Sequence, residues 1–182
     1  MAERLELSPE EFEERWFGDL AHMREMGPMA EALRVLGASP EVGEEIASMR
    51  RAVTQQGLVP VPGALETIAE LRERGLLIGL ITVCTDDVPG LWPETPFHRL
   101  FDAEVFSCSV GLRKPDPRIY LLACDQLGVE PSEAMFVGDG ANDELAGAER
   151  VGMTAVLLER PGEDQLWTGQ RIRSLPELLE LL

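Results

Sequence analysis

Cysteine is scarce here and offers no framework. Cys84, Cys108 and Cys124 are three in number, widely spaced, and contain no Cys-x-x-Cys pair. An odd, scattered set excludes a disulfide scaffold or a structural zinc cluster and fits free thiols in a reducing cytoplasm. Long apolar runs are also lacking: no stretch approaches the ~20 residues that a membrane-spanning helix needs. The first residues, MAERLELSPEEFEERW, are acidic and lack the basic-then-apolar pattern of a secretion signal, so a cytoplasmic location is expected. Positive charge is in short supply, with 16 Lys and Arg against 33 Asp and Glu, for a net charge of -17. A field of that sign repels phosphate backbones and anionic lipids, which argues against nucleic acid or membrane partners. An anionic substrate would need a locally positive site.

What is present is an ordinary soluble composition, 45% apolar and 27% charged over 182 residues, enough for one domain or one domain with a small appendage. The two ends differ in grammar. Residues 1–57 read as helix. Ser8, Pro9 and Glu11 form a capping box, followed by Phe12, Trp16, Leu20 and Met23 at helical spacing. Gly27-Pro28 breaks the run, MAEALRVLG forms a second helix closed by Gly37, and Ser39-Pro40 opens a third with Val42, Ile46, Met49 and Val53 on one side.

Beyond VPVPG at 59–63, helices alternate with strands. ALETIAELRERG predicts a helix, LLIGLIT a buried strand, AEVFS a strand, PRIYLLACDQLG a helix and AMFVG a strand. DELAGAERVG then predicts a helix, TAVLLE a strand and SLPELLELL a closing helix with a Ser174/Glu177 capping box. That alternation predicts an α/β fold, with a parallel sheet and helices on both faces. Ligands of such sheets bind beyond the carboxyl ends of the strands.

The informative residues stand at those ends. Thr82 closes LLIGLIT, where its hydroxyl and nearby N–H groups suit a phosphoryl oxygen, although a Thr that merely ends a strand reads the same way. Lys114, fixed before Pro115, can aim a point charge at an anion; in isolation it also reads as a surface lysine in a turn. Asp139 and Asp143 flank a short loop after AMFVG, an arrangement that suits Mg²⁺, which takes one or two carboxylates with waters and substrate phosphate. The competing reading is a helix cap by Asp139 or Asn142. Trp16, Trp92 and Trp167 read as core, and Asp86 and Asp87 as a solvated turn.

In this order, LLIGLIT, FSCSVGLRKPDPRIY and FVGDGANDELAGAERVGM resemble the haloacid dehalogenase-like hydrolases over about residues 58–160. The resemblance implies a Rossmann-like parallel sheet at 58–182 and a helical cap at 1–57. It gives Thr82 and Lys114 phosphate-binding roles, Asp139 a Mg²⁺-ligand role, and Asp143 the role of second ligand or support. GDGAND is similar to the phosphatase branch, implying a Mg²⁺-dependent phosphatase of small phosphorylated metabolites. Val83 stands where many relatives have asparagine.

One family element is lacking. The first motif, a strand ending in Asp-x-Asp, supplies the nucleophile and the general acid. Here no Asp-x-Asp follows an apolar run before residue 58. By resemblance that strand is central, between those ending at Thr82 and Gly138, and its loss would open roughly ~9.6 Å, two strand spacings. Three expectations follow. The chain is truncated and inactive as given; or the flanking strands pair directly in a non-catalytic binding or regulatory protein; or another chain inserts a strand, by β-augmentation or exchange in a homodimer. A metal-free haloacid dehalogenase is a further alternative, disfavoured by Asp139.

Overall fold

The computed structural model describes residues 2–19, 29–162 and 166–182, with side chains 17–19 set aside. In chain order the helices are α1 (Pro9–Glu13), α2 (Met29–Val35), α3 (Pro40–Gly57), α4 (Ala64–Glu73), α5 (Val88–Leu91), α6 (Ser107–Val110), α7 (Pro117–Leu127) and α8 (Glu144–Arg150). The strands are β1 (Gly79–Thr82), β2 (Ala103–Phe106), β3 (Met135–Gly138), β4 (Thr154–Leu158) and β5 (Gln170–Ile172). The chain forms two compact units. One comprises Met1–Val59, Val83–Thr95 and Phe106–Gly111; the other comprises Pro60–Thr82, Pro96–Val105 and Leu112–Leu182.

The first unit is helical, and its starts are where polar side chains can satisfy orphan N–H groups. Glu11 N–H donates to Ser8 Oγ at 3.1 Å, and Ser8 N–H donates back to Glu11 Oε2 at 3.0 Å. Ser39 Oγ accepts from Val42 N–H at 3.3 Å and opens α3. Gly37, at φ 95°, ends the second helix as expected. Trp16, stacked on Phe12, joins Met29, Ala32, Leu33, Leu36 and Ile46 in one core. The apolar stripe on α3 is only half used, because Met49 and Val53 are 60% and 68% exposed. Trp92 is core, set edge-on to Phe106 at 5.3 Å, whereas Trp167 is half-buried and its ring N–H donates to the Gln170 carbonyl at 3.0 Å. Asp87 is half-buried rather than solvated and accepts from the Thr85 hydroxyl at 2.5 Å. The positions read as Leu20, Met23 and Gly27-Pro28 lie outside the described residues.

The second unit carries the α/β pattern. β3, β4 and β5 pair in parallel, with Phe136 opposite Ala155 and Val156 opposite Gln170. Alternation sends Val156 to one face, where it packs with Ile172 and Leu178. Ala155 and Leu157 go to the other face, toward α8, so β4 is buried on both sides. β1 and β2 form a separate two-stranded sheet, and among the described residues no pairing joins β1 to β3. Direct pairing of the two flanking strands is therefore not the arrangement found.

Three further readings change. LLIGLIT is not a fully buried strand: only Gly79–Thr82 is extended, Leu80 to Thr82 are half-buried, and Leu77 is 53% exposed. A strand with an unpaired edge has fewer atoms to bury against. β5 is only three residues long, too short to announce itself by alternation. The closing segment is a 3-10 turn, Leu175–Glu180, without a Ser174 cap. The Glu177 carboxylate instead accepts from the Arg173 N–H at 3.1 Å and from the Ser174 hydroxyl at 2.9 Å.

Candidate active site

β3 runs out at Gly138, and the chain then turns sharply. Gly140, Asn142 and Asp143 all have positive φ, at 80°, 53° and 56°. Only the first is a residue for which that conformation is free of strain. The turn leaves Asp143 exposed, with no capping bond from its side chain, and carries Glu144 inward at the start of α8. Glu144 is 3% exposed. Its Oε1 accepts from the Gly140 N–H at 3.1 Å, and its Oε2 lies 2.5 Å from Lys114 Nζ.

Gly138 makes room for that carboxyl group. A Cβ there would sit 2.7 Å from Glu144 Cδ and 2.9 Å from Phe136 Cε1.

Lys114 is held from several sides. Its ammonium lies 5.4 Å from the centre of the Phe136 ring, within cation–π range. The following peptide, Lys114-Pro115, is cis. Pro115 sits against Gly147 of α8, where an added Cβ would come within 2.9 Å of it and 2.6 Å of the Tyr120 hydroxyl. Tyr120, fully buried on α7, donates its O–H to the Glu144 backbone carbonyl at 2.8 Å and packs edge-on to Phe136. Burial, with the Glu144 charge second, pushes its phenol pKa up, so it stays a donor. Strand β3, helices α7 and α8 and the Lys114 loop thus fix one cation against one buried carboxylate.

Asp139 is the neighbouring acid. Its Oδ1 accepts from the Ala141 N–H at 3.0 Å, and Oδ2 pairs with the Arg160 guanidinium. Burial works to raise its pKa, but the Ala141 N–H, Arg160 and the contact with Glu144 outweigh it and hold the group below the usual carboxylate range. The formal charges of Asp139, Glu144, Lys114 and Arg160 cancel.

Of the residues singled out in the sequence, Lys114 and Asp139 therefore come together, around Glu144. Asp143 faces outward, and Thr82 closes β1, half-buried, on the sheet to which β3 does not pair. Glu144 and Arg160 were not anticipated. Glu144 was visible as a third acid beginning a helix with small residues at its back; Arg160 carried no local signal.

Among the described residues no three His, Cys, Asp or Glu side chains gather into a metal cluster. The hard oxygens of Asp139 and Glu144 nevertheless fit the one or two carboxylates that Mg²⁺ takes when waters and a phosphate complete its shell. A phosphate dianion arriving at a neutral cluster adds two negative charges, which a divalent cation would balance.

A family model for haloacid dehalogenase-like hydrolases matches residues 3–152, reaching well into the helical first part. A glyceraldehyde 3-phosphate phosphatase of Methanopyrus kandleri is 36% identical over 57% of this chain and 45% of its own length. The Mycobacterium tuberculosis protein named Phosphatase MT3486 is 31% identical over 94% of this chain and 82% of its own. The crystal structure of a phosphatase of the same superfamily from Thermococcus onnurineus superposes with a TM-score of 0.75 at 25% identity, covering 99% of this chain and 83% of that one. The chain spans about half the length of the first of these relatives. With a family model covering most of its length and the matching fold in place, the chain belongs to the haloacid dehalogenase-like hydrolases.

Proposed function

We propose that the chain is the phosphate- and metal-binding portion of a Mg²⁺-dependent phosphatase acting on small phosphorylated metabolites, and that these 182 residues alone do not turn substrate over. One observation carries the reading: Lys114, Glu144 and Asp139 converge where β3 ends, an oxygen-rich and cation-bearing cluster. The phosphatase names among the relatives support the substrate class.

In this reading Lys114 keeps one ammonium hydrogen on Glu144 and turns the others to a phosphoryl oxygen, and the Thr82 hydroxyl meets a second. Asp139 is a metal ligand. Glu144, buried and aimed by Gly138 and Gly140, is better placed for the second carboxylate role than exposed Asp143, which supports the turn. Bound Mg²⁺ would neutralise phosphoryl charge as the transition state forms. By family resemblance the nucleophile stands in an Asp-x-Asp that ends an apolar strand, and with no such motif before residue 58 covalent phosphoryl transfer lacks its nucleophile. The edges of β1 and β3 that pair with no described strand are where a strand bearing one would complete the sheet.

Calorimetric titration of Mg²⁺ into the chain with inorganic phosphate present tests the site. Uptake should need both ions, disappear in Asp139→Asn, weaken in Glu144→Gln and survive in Asp143→Asn. Equal uptake by the parent and Asp139→Asn would refute the assignment. A version carrying an apolar strand that ends in Asp-x-Asp, joined ahead of residue 1, should gain turnover of p-nitrophenyl phosphate.

A further inference from the structure

Two of the three cysteines, distant in sequence, meet in space. Cys84 lies in the loop after β1 and Cys108 lies in α6, and their sulfurs are 3.6 Å apart across 24 positions of chain. Both are half-buried, so small reagents can reach them, whereas Cys124 on α7 is buried. The backbone around the pair is already tied together. Cys84 N–H donates to Ser107 Oγ at 3.0 Å, and the same hydroxyl donates to the Cys84 carbonyl at 3.3 Å. Ser107 is fully buried and holds both segments. A disulfide needs a sulfur separation of about 2.05 Å, so the sulfurs must close by about 1.5 Å, a shift within reach of side-chain rotation on an anchored backbone.

We infer that Cys84 and Cys108 form a reversible redox site, open as two thiols under reducing conditions and closed as an intramolecular disulfide by exchange with a low-molecular-weight disulfide. Burial, and then the neighbouring Cys108 sulfur, push the Cys84 thiol up to about 12. One of the two protein sulfurs, as its thiolate, attacks one sulfur of the external disulfide, whose S–S bond breaks; the released thiolate takes a proton. The other protein thiol then gives up its proton, attacks the protein-borne sulfur of the mixed disulfide and expels the second external thiol. Two protein thiols lose two electrons in all, and one external disulfide gains them. The bond forms whether or not the chain turns over phosphate.

The test is incubation of the full chain with glutathione disulfide, followed by thiol counting in denaturant, intact mass and non-reducing peptide mapping. Titratable thiols should fall from three to one, the monomer mass should drop by two hydrogens, and one crosslinked peptide should join Cys84 to Cys108. Cys124→Ser should keep the crosslink. Cys84→Ser and Cys108→Ser should each lose it. Three thiols surviving in the parent, a crosslink involving Cys124, or disulfides only between chains would overturn the inference.

Discussion

β4 and β1 are both short, apolar strands of the same unit, and they meet different fates. β4 has β3 on one side, β5 on the other and side chains over both faces; Val156 and Leu157 are completely buried. Among the described residues β1 pairs only with β2, and no residue of it is buried. Composition does not separate them, since LLIGLIT, the run that holds β1, is as apolar as TAVLL. The difference is in neighbours: among the described residues β1 does not pair with β3, and Lys114, Glu144 and Asp139 meet where β3 ends.

The strongest way to break this contrast is to attack the closed side. Lys114→Ala leaves the Glu144 carboxylate buried without its cation and should cost about 3–5 kcal/mol in urea unfolding. Replacing the pair together, Lys114→Met with Glu144→Gln, should cost less than that single change. A cost for the pair equal to the sum of the two single changes would mean that the pair is not coupled.

Leu157→Ala, in the middle of β4, should cost about 2–5 kcal/mol. Ile81→Ala, its counterpart on half-buried β1, should cost under about 1.5 kcal/mol, since full burial of such a side chain contributes only about 1.5–3 kcal/mol. Equal losses would contradict an open edge on β1.

Gly138→Ala forces a methyl against Glu144 and Phe136 and should cost about 1–3 kcal/mol, with a matching loss of phosphate-dependent Mg²⁺ uptake. The smallest effect concerns acid. Asp139 is held below its unfolded value of about 3.9, so its contribution is complete above that pH and fades as pH falls through the lower folded value. Asp139→Asn should flatten that acid limb of the stability curve and leave neutral-pH unfolding cooperative.

The order of elements was legible because each leaves a local trace. Ser8 and Ser39 cap, Gly37 and Gly128 stop helices, and apolar runs alternate with amphipathic ones. Lys114 and Asp139 were legible because each stands where a strand-to-helix connection places a side chain at the sheet's end. Glu144 was not, because whether Asp143 or Glu144 turns inward depends on the positive φ angles at Asn142 and Asp143, a conformation those residue names permit but do not require. Arg160 reaches Asp139 from beyond β4, and the Cys84–Cys108 pair joins a loop to a short helix. Contacts so remote in sequence have no periodicity to read. Burial of β1 was misjudged for the same reason, since an apolar run records what a strand is able to cover and not whether a neighbour is there.

The most direct test of the central claim is steady-state hydrolysis of p-nitrophenyl phosphate by the purified 182-residue chain at saturating Mg²⁺, beside Asp139→Asn. The account predicts no turnover above background in either. Turnover by the parent that vanishes in the variant would show that a nucleophile is already in place, and would contradict it.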